Sequence, residues 1–281
     1  WDCNYRHNLE IRKALEAILS SDSNVDHESQ QYADFEVYAK RVFFANGIHH
    51  HYSNKKFAAD FDQEWFLSAL DALEITLSEE SQRAIFDPEF DAKKVNRADG
   101  VDLLLASAVN FYAPDITQAE AEAFYATKVD ADPDRPVSHG LNSRLSRDEN
   151  GEIYEEVFSA RGRYANSIKE IIGHLEKAKD VAENEDQAAA LKLLIEYYET
   201  GDLTKWDDYN IAWVKTTGGD VDYINGFVEV YNDPMGYRGS YETVVQVKDF
   251  DASKRMAVVA DNVQWFEDHS PIMDDHKKES V

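Results

Sequence analysis

The spacing of apolar residues predicts helices through roughly the first two thirds of the chain. Apolar positions within residues 9–20 share one helix face, and a second helix is predicted to end at Asn46 and Gly47, since glycine favours the left-handed conformation that closes helices. Thr117 and Glu120 have the spacing of a capping box, which predicts a helix start. The other predicted elements are helices over Gln63–Leu73 and Asp99–Val109, two consecutive helices between Tyr164 and Tyr198, and a polar loop over residues 130–150.

The period of the apolar residues changes to that of a strand after Gly201, which is predicted to end the preceding helix. Three stretches alternate apolar and polar residues: "NIAWVKT" (210–216), "YINGFVEVY" (223–231) and "SYETVVQVK" (240–248). "NDPMGYRGS" supplies Pro and Gly for the turn between the last two, and a helix containing Met256 and Phe266 follows. The pattern predicts an α+β fold that is mostly helical, with a small antiparallel sheet of three strands.

The middle of these strands has the residue types of a binding surface. Alternation places Phe227, Glu229 and Tyr231 on one face, and places Val228 and Val230 on the other, where we expect them to pack into the core. A carboxylate and a phenol together offer an acceptor for an ammonium group and a donor for a carbonyl oxygen. The alternative is that these side chains only line a solvated sheet face.

The overall charge excludes more partners than it indicates. Lysine and arginine number 29 and aspartate and glutamate 55, which leaves a formal charge of −26. Such a field repels nucleic acid and anionic lipid surfaces, so we expect neither as a partner. It could attract a cationic group such as the amino terminus of a peptide, or it could serve solubility alone.

The number of cysteines and the lengths of the apolar segments indicate the cellular compartment that we expect for this protein. Cys3 is the single cysteine and cannot form an internal disulfide, which favours a reducing compartment, and we expect the cytoplasm. No apolar run has the length of a membrane span, and no signal peptide is recognisable. The first residue is Trp1, so we expect that residues upstream are missing and that the sequence is a fragment.

Three consecutive histidines, His49, His50 and His51, raise the question of a metal site. Zinc needs three or four converging ligands, and adjacent residues point in different directions, so at most two of the three could bind one ion. No helix pairs two histidines with a glutamate between them, and Cys3 with His7 forms only a weak nucleophile motif. The histidines therefore fit a packing or hydrogen-bonding role, with a metal site built on His49 and His51 as the alternative.

The segment "NGFVEVYNDPMGYRGSYE" (225–242) resembles the substrate-binding hairpin of the dipeptidyl peptidase III family of zinc exopeptidases. The resemblance extends to "FFANGIHHHYSNKKF", "KKVNRADGVDLL", "GLNSRL", "AENEDQAAALKLLIEYYETGDL" and "NVQWFEDHSPI", in the order of the bacterial members. It runs almost from end to end of this sequence, but covers only the amino-terminal part of the longer family chain.

The resemblance implies a two-lobe peptidase. Residues 1–250 would form the lower, substrate-binding lobe, helical over 1–205 and β-rich over 206–250 around part of a small β-barrel. Residues 251–281 would begin the upper, catalytic lobe. The family's zinc signature, His-Glu-x-x-Gly-His, is absent from this sequence. We therefore expect zinc in the full-length enzyme, and neither bound zinc nor activity in this fragment alone.

Three residues match the family hairpin. The resemblance implies that Glu229 binds the free amino terminus of an oligopeptide, that Tyr231 is a catalytic residue hydrogen-bonded near the scissile carbonyl, and that Glu242 also contributes to substrate binding. The implied function is release of dipeptides from the amino terminus of oligopeptides, with the missing catalytic lobe as partner. The alternative is a non-catalytic peptide-binding or interaction domain.

Overall fold

The computed structural model describes residues 6–21 and 25–280. These residues form an α+β fold that is mostly helical, as predicted. The helices are α1 Asn8–Leu19, α2 Gln30–Ala45, α3 Gln63–Ala72, α4 Glu79–Phe86, α5 Gln118–Ala126, α6 Ala165–Asp180, α7 Glu185–Thr200, α8 Leu203–Trp213, α9 Phe250–Ala260 and α10 Val263–Asp268. The strands are β1 Ser143–Arg147, β2 Ile153–Val157, β3 Val221–Glu229 and β4 Ser240–Val247.

Local signals placed several helix ends correctly. Thr117 and Glu120 form the predicted capping box at the start of α5. Helix α2 closes on Asn46 with φ 59°, so the asparagine, and not Gly47, takes the left-handed conformation. Gly201 ends α7 with φ 74°.

The predicted helix over Asp99–Val109 is wrong, because the segment forms only turns. Asp102 accepts hydrogen bonds from the backbone N–H of Leu104 and Leu105, which closes a single turn. Ala108 then donates its backbone N–H to the carbonyl of Lys93 at 3.0 Å. This tertiary hydrogen bond takes the place of another helical turn.

The predicted strand over residues 210–216 is also wrong, because α8 extends through Trp213. Asp202 caps this helix by accepting the backbone N–H of Thr204 at 2.8 Å. The Trp206 ring packs 5.0 Å from the ring of Tyr197 on α7. Aromatic burial against α7 therefore overrides the apparent alternation of the sequence.

The hairpin of β1 and β2 lies partly in the predicted loop over residues 130–150. Its strands pair antiparallel from Ser143 opposite Val157 to Arg147 opposite Ile153. The strands are largely polar, so they lack the apolar alternation that marks a half-buried strand. Glu155 binds the hydroxyl groups of Tyr125 and Ser143 and the ammonium of Lys128 instead.

Within residues 6–21 and 25–280, three clusters of buried side chains form the interior. The first contains residues of the four helices from α1 through α4, and the third surrounds Phe111, Tyr112 and Leu145. The second joins α6, α7 and α8 and includes Phe227 of β3. Through Phe227 the β3–β4 hairpin is anchored to the helices.

Strands β3 and β4 form a two-stranded antiparallel sheet, separate from the sheet of β1 and β2. The described residues form no closed barrel, and within them each strand of the β3–β4 sheet has one edge without a strand partner. Helices α9 and α10 follow the hairpin and contain no buried residue. In the described part of the chain, no helix is both long and apolar enough to cross a membrane.

Candidate functional site

A β-bulge lies at the end of the β3–β4 hairpin next to the connecting turn. Gly226 pairs with Glu242 and Phe227 with Tyr241, but the next pair is Glu229 with Ser240, so Val228 is the extra residue. Directly opposed residues share a sheet face and neighbours alternate, so the bulge puts Glu229 on the face of Glu242.

The prediction that Phe227 and Glu229 share a face is therefore wrong. Phe227 is only 6% exposed and packs 5.0 Å from the Phe158 ring, whereas Glu229 is exposed. The prediction that Val228 and Val230 fill the core is also wrong, since both are only half-buried. Phe227 anchors the strand, because its side chain has a larger apolar area than either valine and its burial is more favourable in free energy.

A glycine immediately before β4 lies next to the bulge. A Cβ atom built on Gly239 would lie 2.7 Å from the backbone carbon of Phe227 and 2.9 Å from its oxygen. Such contacts with backbone atoms are too short for any side chain. Gly239 therefore permits the close approach of the two strands at the point where Glu229 changes face.

The charge of Glu229 acts on the ionisation of Glu242. Partial burial raises the pKa of Glu242, and the negative charge of Glu229 raises it further. A cation placed between these carboxylates would relieve the repulsion and gain acceptors on both sides. Two such carboxylates can together accept hydrogen bonds from one ammonium group.

Tyr231 lies just beyond the end of β3, and not on the strand as predicted. It is the second residue of a turn in which the backbone N–H of Asp233 donates to the carbonyl of Val230 at 3.0 Å. Its side chain is 51% exposed. The turn leaves Tyr231 about half exposed, two residues after Glu229.

Asp233 organises the loop after Tyr231, and sequence reasoning missed it. Its fully buried carboxylate accepts the hydroxyl of Tyr112 at 2.9 Å and the backbone N–H groups of Met235, Tyr237 and Arg238 at 2.8–3.0 Å. Burial raises the pKa of Tyr112 well above its usual range, so its hydroxyl stays protonated and can donate. The signal for Asp233 was its place before Pro in the predicted turn, where aspartate often binds following backbone N–H groups.

The side chains in the histidine segment are engaged with the protein. His49 is 2% exposed, and its Nε2 lies 2.8 Å from the carbonyl oxygen of Asp91, to which it donates. Nδ1 of His50 accepts the backbone N–H groups of Tyr52 and Ser53 at 3.2 Å. Burial lowers the pKa of His49 to about 4, so its ring is neutral at pH 7.

These histidines do not form a zinc site. Across residues 6–21 and 25–280, no three His, Cys, Asp or Glu side chains are grouped so that they could hold a metal ion. Cys3, the other nucleophile or ligand considered from the sequence, lies outside the described residues. The described side chains therefore do not fit the zinc that the resemblance implies.

The family follows from comparison of the whole sequence. The model of peptidase family M49 matches residues 93–280, which include the hairpin and its acidic face. The chain belongs to peptidase family M49. This confirms the resemblance read from residues 225–242 and the related stretches.

The similar proteins are dipeptidyl peptidases. Dipeptidyl peptidase 3 of Mus musculus is 30% identical over 149 residues, which are 52% of this chain and 20% of that protein. The Homo sapiens protein of the same name is 36% identical over 87 residues, 31% of this chain and 12% of that protein. The chain thus matches only a small part of the length of these relatives.

A solved structure shares the fold. The structure of DPP III from Caldithrix abyssi superposes with a TM-score of 0.61 at 20% identity, covering 99% of this chain and 41% of that one. The two-stranded sheets and helices described above therefore belong to a DPP III-like fold. The chain spans less than half of that protein.

Proposed function

We propose that this chain is the substrate-binding part of a zinc-dependent exopeptidase that releases dipeptides from the amino terminus of oligopeptides. The observation that supports it best is the bulge, which puts Glu229 and Glu242 on one face beside the turn of Tyr231. Membership of a peptidase family and similarity to dipeptidyl peptidases support the same reaction class.

Glu229 and Glu242 would bind the free amino terminus of the peptide. An ammonium group has three N–H donors, and two carboxylates on one face can accept from it at once. Charge-assisted hydrogen bonds are stronger than neutral ones, and the net charge of −26 steers cations toward the protein. A fixed distance from this anchor to the reacting centre would set the length of the released product at two residues.

Tyr231 would act at the scissile carbonyl. Its phenol can donate a hydrogen bond to the carbonyl oxygen, and the bond strengthens as negative charge develops on that oxygen. Tyr231 lies in the turn from Val230 to Asp233, directly after the strand that carries Glu229. Tyr231 is thus the catalytic residue that we assign to this chain.

The zinc and its ligands would belong to the rest of a longer enzyme. Residues 1–250 would form the lower lobe and residues 251–281 the start of the catalytic lobe. The apolar residues of α9 and α10, such as Met256 and Trp265, are exposed and would pack against that lobe. A cytoplasmic location remains a prediction from the single cysteine.

The test is hydrolysis by the full-length protein. Dipeptides should be released from unblocked oligopeptides, and amino-terminally acetylated peptides should be poor substrates because they lack the ammonium group. Metal analysis should find zinc in the full-length enzyme, and neither zinc nor activity in residues 1–281 alone. Peptide binding by the full-length protein without any hydrolysis would instead support a non-catalytic peptide-binding domain.

A further inference from the structure

The turn that presents Tyr231 is followed directly by a second turn. Asp233 closes the first by donating its backbone N–H to Val230, and its own carbonyl accepts the backbone N–H of Gly236 at 3.1 Å. The carbonyl group of Asp233 therefore lies at the junction of the two turns. Any group that holds this carbonyl also limits the movement of Tyr231, two residues earlier.

Arg97 holds this junction from a distant part of the chain. Its Nη2 donates to the carbonyl oxygen of Asp233 at 2.8 Å, and its Nε donates to the carbonyl oxygen of Pro234 at 3.2 Å. The rigid fork of a guanidinium group can bind two neighbouring carbonyls at once, which an ammonium group does less well. Arg97 thus binds the backbone of the loop at Asp233, whose side-chain carboxylate binds Tyr112.

The segment that contains Arg97 is itself fixed. The backbone N–H of Asn96 donates to the hydroxyl of Ser107 at 2.9 Å, and the Asn96 side chain accepts the backbone N–H of Ala98 at 3.2 Å. Lys94 donates its backbone N–H to the carbonyl of Asn54 at 2.8 Å. Arg97 thus connects the turn to a braced segment of the lobe.

We propose that Arg97 is a positioning residue, which sets the placement of the Tyr231 phenol for the reaction. The inference rests on the proposed function, because it requires that Tyr231 acts on the substrate. A hydrogen bond to a developing oxyanion depends strongly on its geometry, so a small displacement of the donor lowers turnover. Loss of the Arg97 hydrogen bonds would allow this displacement without removing the phenol.

The test uses four variants of the full-length enzyme and a fifth as control. Arg97→Met retains most of the side-chain bulk and removes both donors, and is expected to lower kcat about tenfold with KM little changed. Arg97→Lys should lower kcat less than Arg97→Met does, because lysine keeps one donor group. Adding Arg97→Met to Tyr231→Phe should change kcat less than about twofold, since two residues that act through one contact are not additive.

Arg147→Met is the matched control. Arg147 donates to Asp115, Glu120 and the carbonyl of Gly151, so its replacement removes more hydrogen bonds outside the turn. It should lower the melting temperature at least as much as Arg97→Met does, with kcat unchanged. Hydrogen exchange at the amides of Asp233 and Gly236 should become faster in Arg97→Met and stay as in the wild type in Arg147→Met.

The outcomes separate the inference from the proposed function. The positioning role is wrong if Arg97→Met has no effect on kcat, or if it lowers kcat equally in the wild type and in Tyr231→Phe. In either case, a low kcat of Tyr231→Phe leaves the proposed function intact. Unchanged exchange at Asp233 and Gly236 also overturns the positioning role. Near-normal turnover of Tyr231→Phe contradicts both.

Discussion

Glu229 and Glu242 lie on the same face of the β3–β4 hairpin because Val228 is an extra residue in β3. Without the bulge, Glu229 would share the face of Phe227, which is buried against Phe158. A single inserted residue therefore separates the apolar anchor of the strand from its acidic side.

This arrangement predicts that the pKa of Glu242 depends on the charge at position 229. Replacing Glu229 by Gln removes the neighbouring negative charge and should lower the pKa of Glu242 toward its ordinary value, although partial burial still raises it. The measurement is NMR titration of the Glu242 side-chain carboxyl carbon in both proteins. Glu149→Gln, at an exposed position of the β1–β2 turn, is the control and should leave the pKa of Glu242 unchanged.

The raised pKa of Glu242 also determines how its contribution to the free energy of unfolding changes with pH. Because folding raises the pKa of Glu242, its contribution to the free energy of unfolding is fully present below the unfolded pKa, and falls as pH rises through the folded pKa. Glu229→Gln should reduce this loss. A pKa of Glu242 that does not respond to Glu229→Gln would mean that the two carboxylates are not close.

Glu229→Gln should also weaken recognition of unblocked peptides by the full-length enzyme. The substitution keeps the shape of the side chain but removes the charge that we propose binds the substrate ammonium. Transition-state binding should therefore fall by about 1.5–3 kcal/mol, or roughly 10- to 150-fold in kcat/KM. Steady-state kinetics measures this, with Glu149→Gln as a charge-matched control. Acetylated peptides should be affected least, and an equal loss for both substrate types would contradict the role of Glu229.

Tyr231→Phe should act on turnover more than on binding. It removes the hydroxyl that we propose donates to the scissile carbonyl, and we expect kcat to fall about 100-fold with KM little changed. The control is Tyr154→Phe, at an exposed position of β2. Melting curves should be similar for both variants, because neither hydroxyl is in the core. Wild-type kcat in Tyr231→Phe would remove the catalytic assignment.

His49 should make the chain sensitive to acid. The pKa of His49 falls from 6.5 to about 4 on folding, so the unfolded chain binds more protons between these values, and stability decreases as pH falls from 6.5 toward 4. The full loss is about 3 kcal/mol. Urea unfolding over this pH range should show a smaller pH dependence for His49→Gln than for the wild type.

The exposed His51 provides the control for that measurement. His51→Gln should keep the pH dependence of the wild type, since its ring is exposed. If His49→Gln and the wild type lose stability equally on acidification, then another group is responsible for the acid sensitivity.

The sequence alone was sufficient to predict features that are formed by residues close together in the chain. The capping box of Thr117 and Glu120, the end of α7 at Gly201 and the turn between β3 and β4 are local, because each is formed within a few residues. The hairpin segment 225–242 was also sufficient to recognise the family. These features require no knowledge of what packs against them.

Tertiary structure decided the features that depend on distant contacts. The residues of 210–216 alternate as a strand would, but α8 extends to Trp213 because the Trp206 ring packs on α7. The bulge at Val228 depends on burial of Phe227 against Phe158 and on the close approach of Gly239. Alternation along one strand cannot reveal either contact, so the faces of Phe227 and Glu229 were predicted wrongly.

The residues around Tyr231 show the same division. Sequence similarity pointed to Glu229, Tyr231 and Glu242, because they lie within one short hairpin segment. Arg97 is 136 positions from Asp233, and Tyr112 is 121 positions from it, yet both bind that residue. A hydrogen bond between such distant residues forms only after the chain has folded, so no local pattern in the sequence marks it.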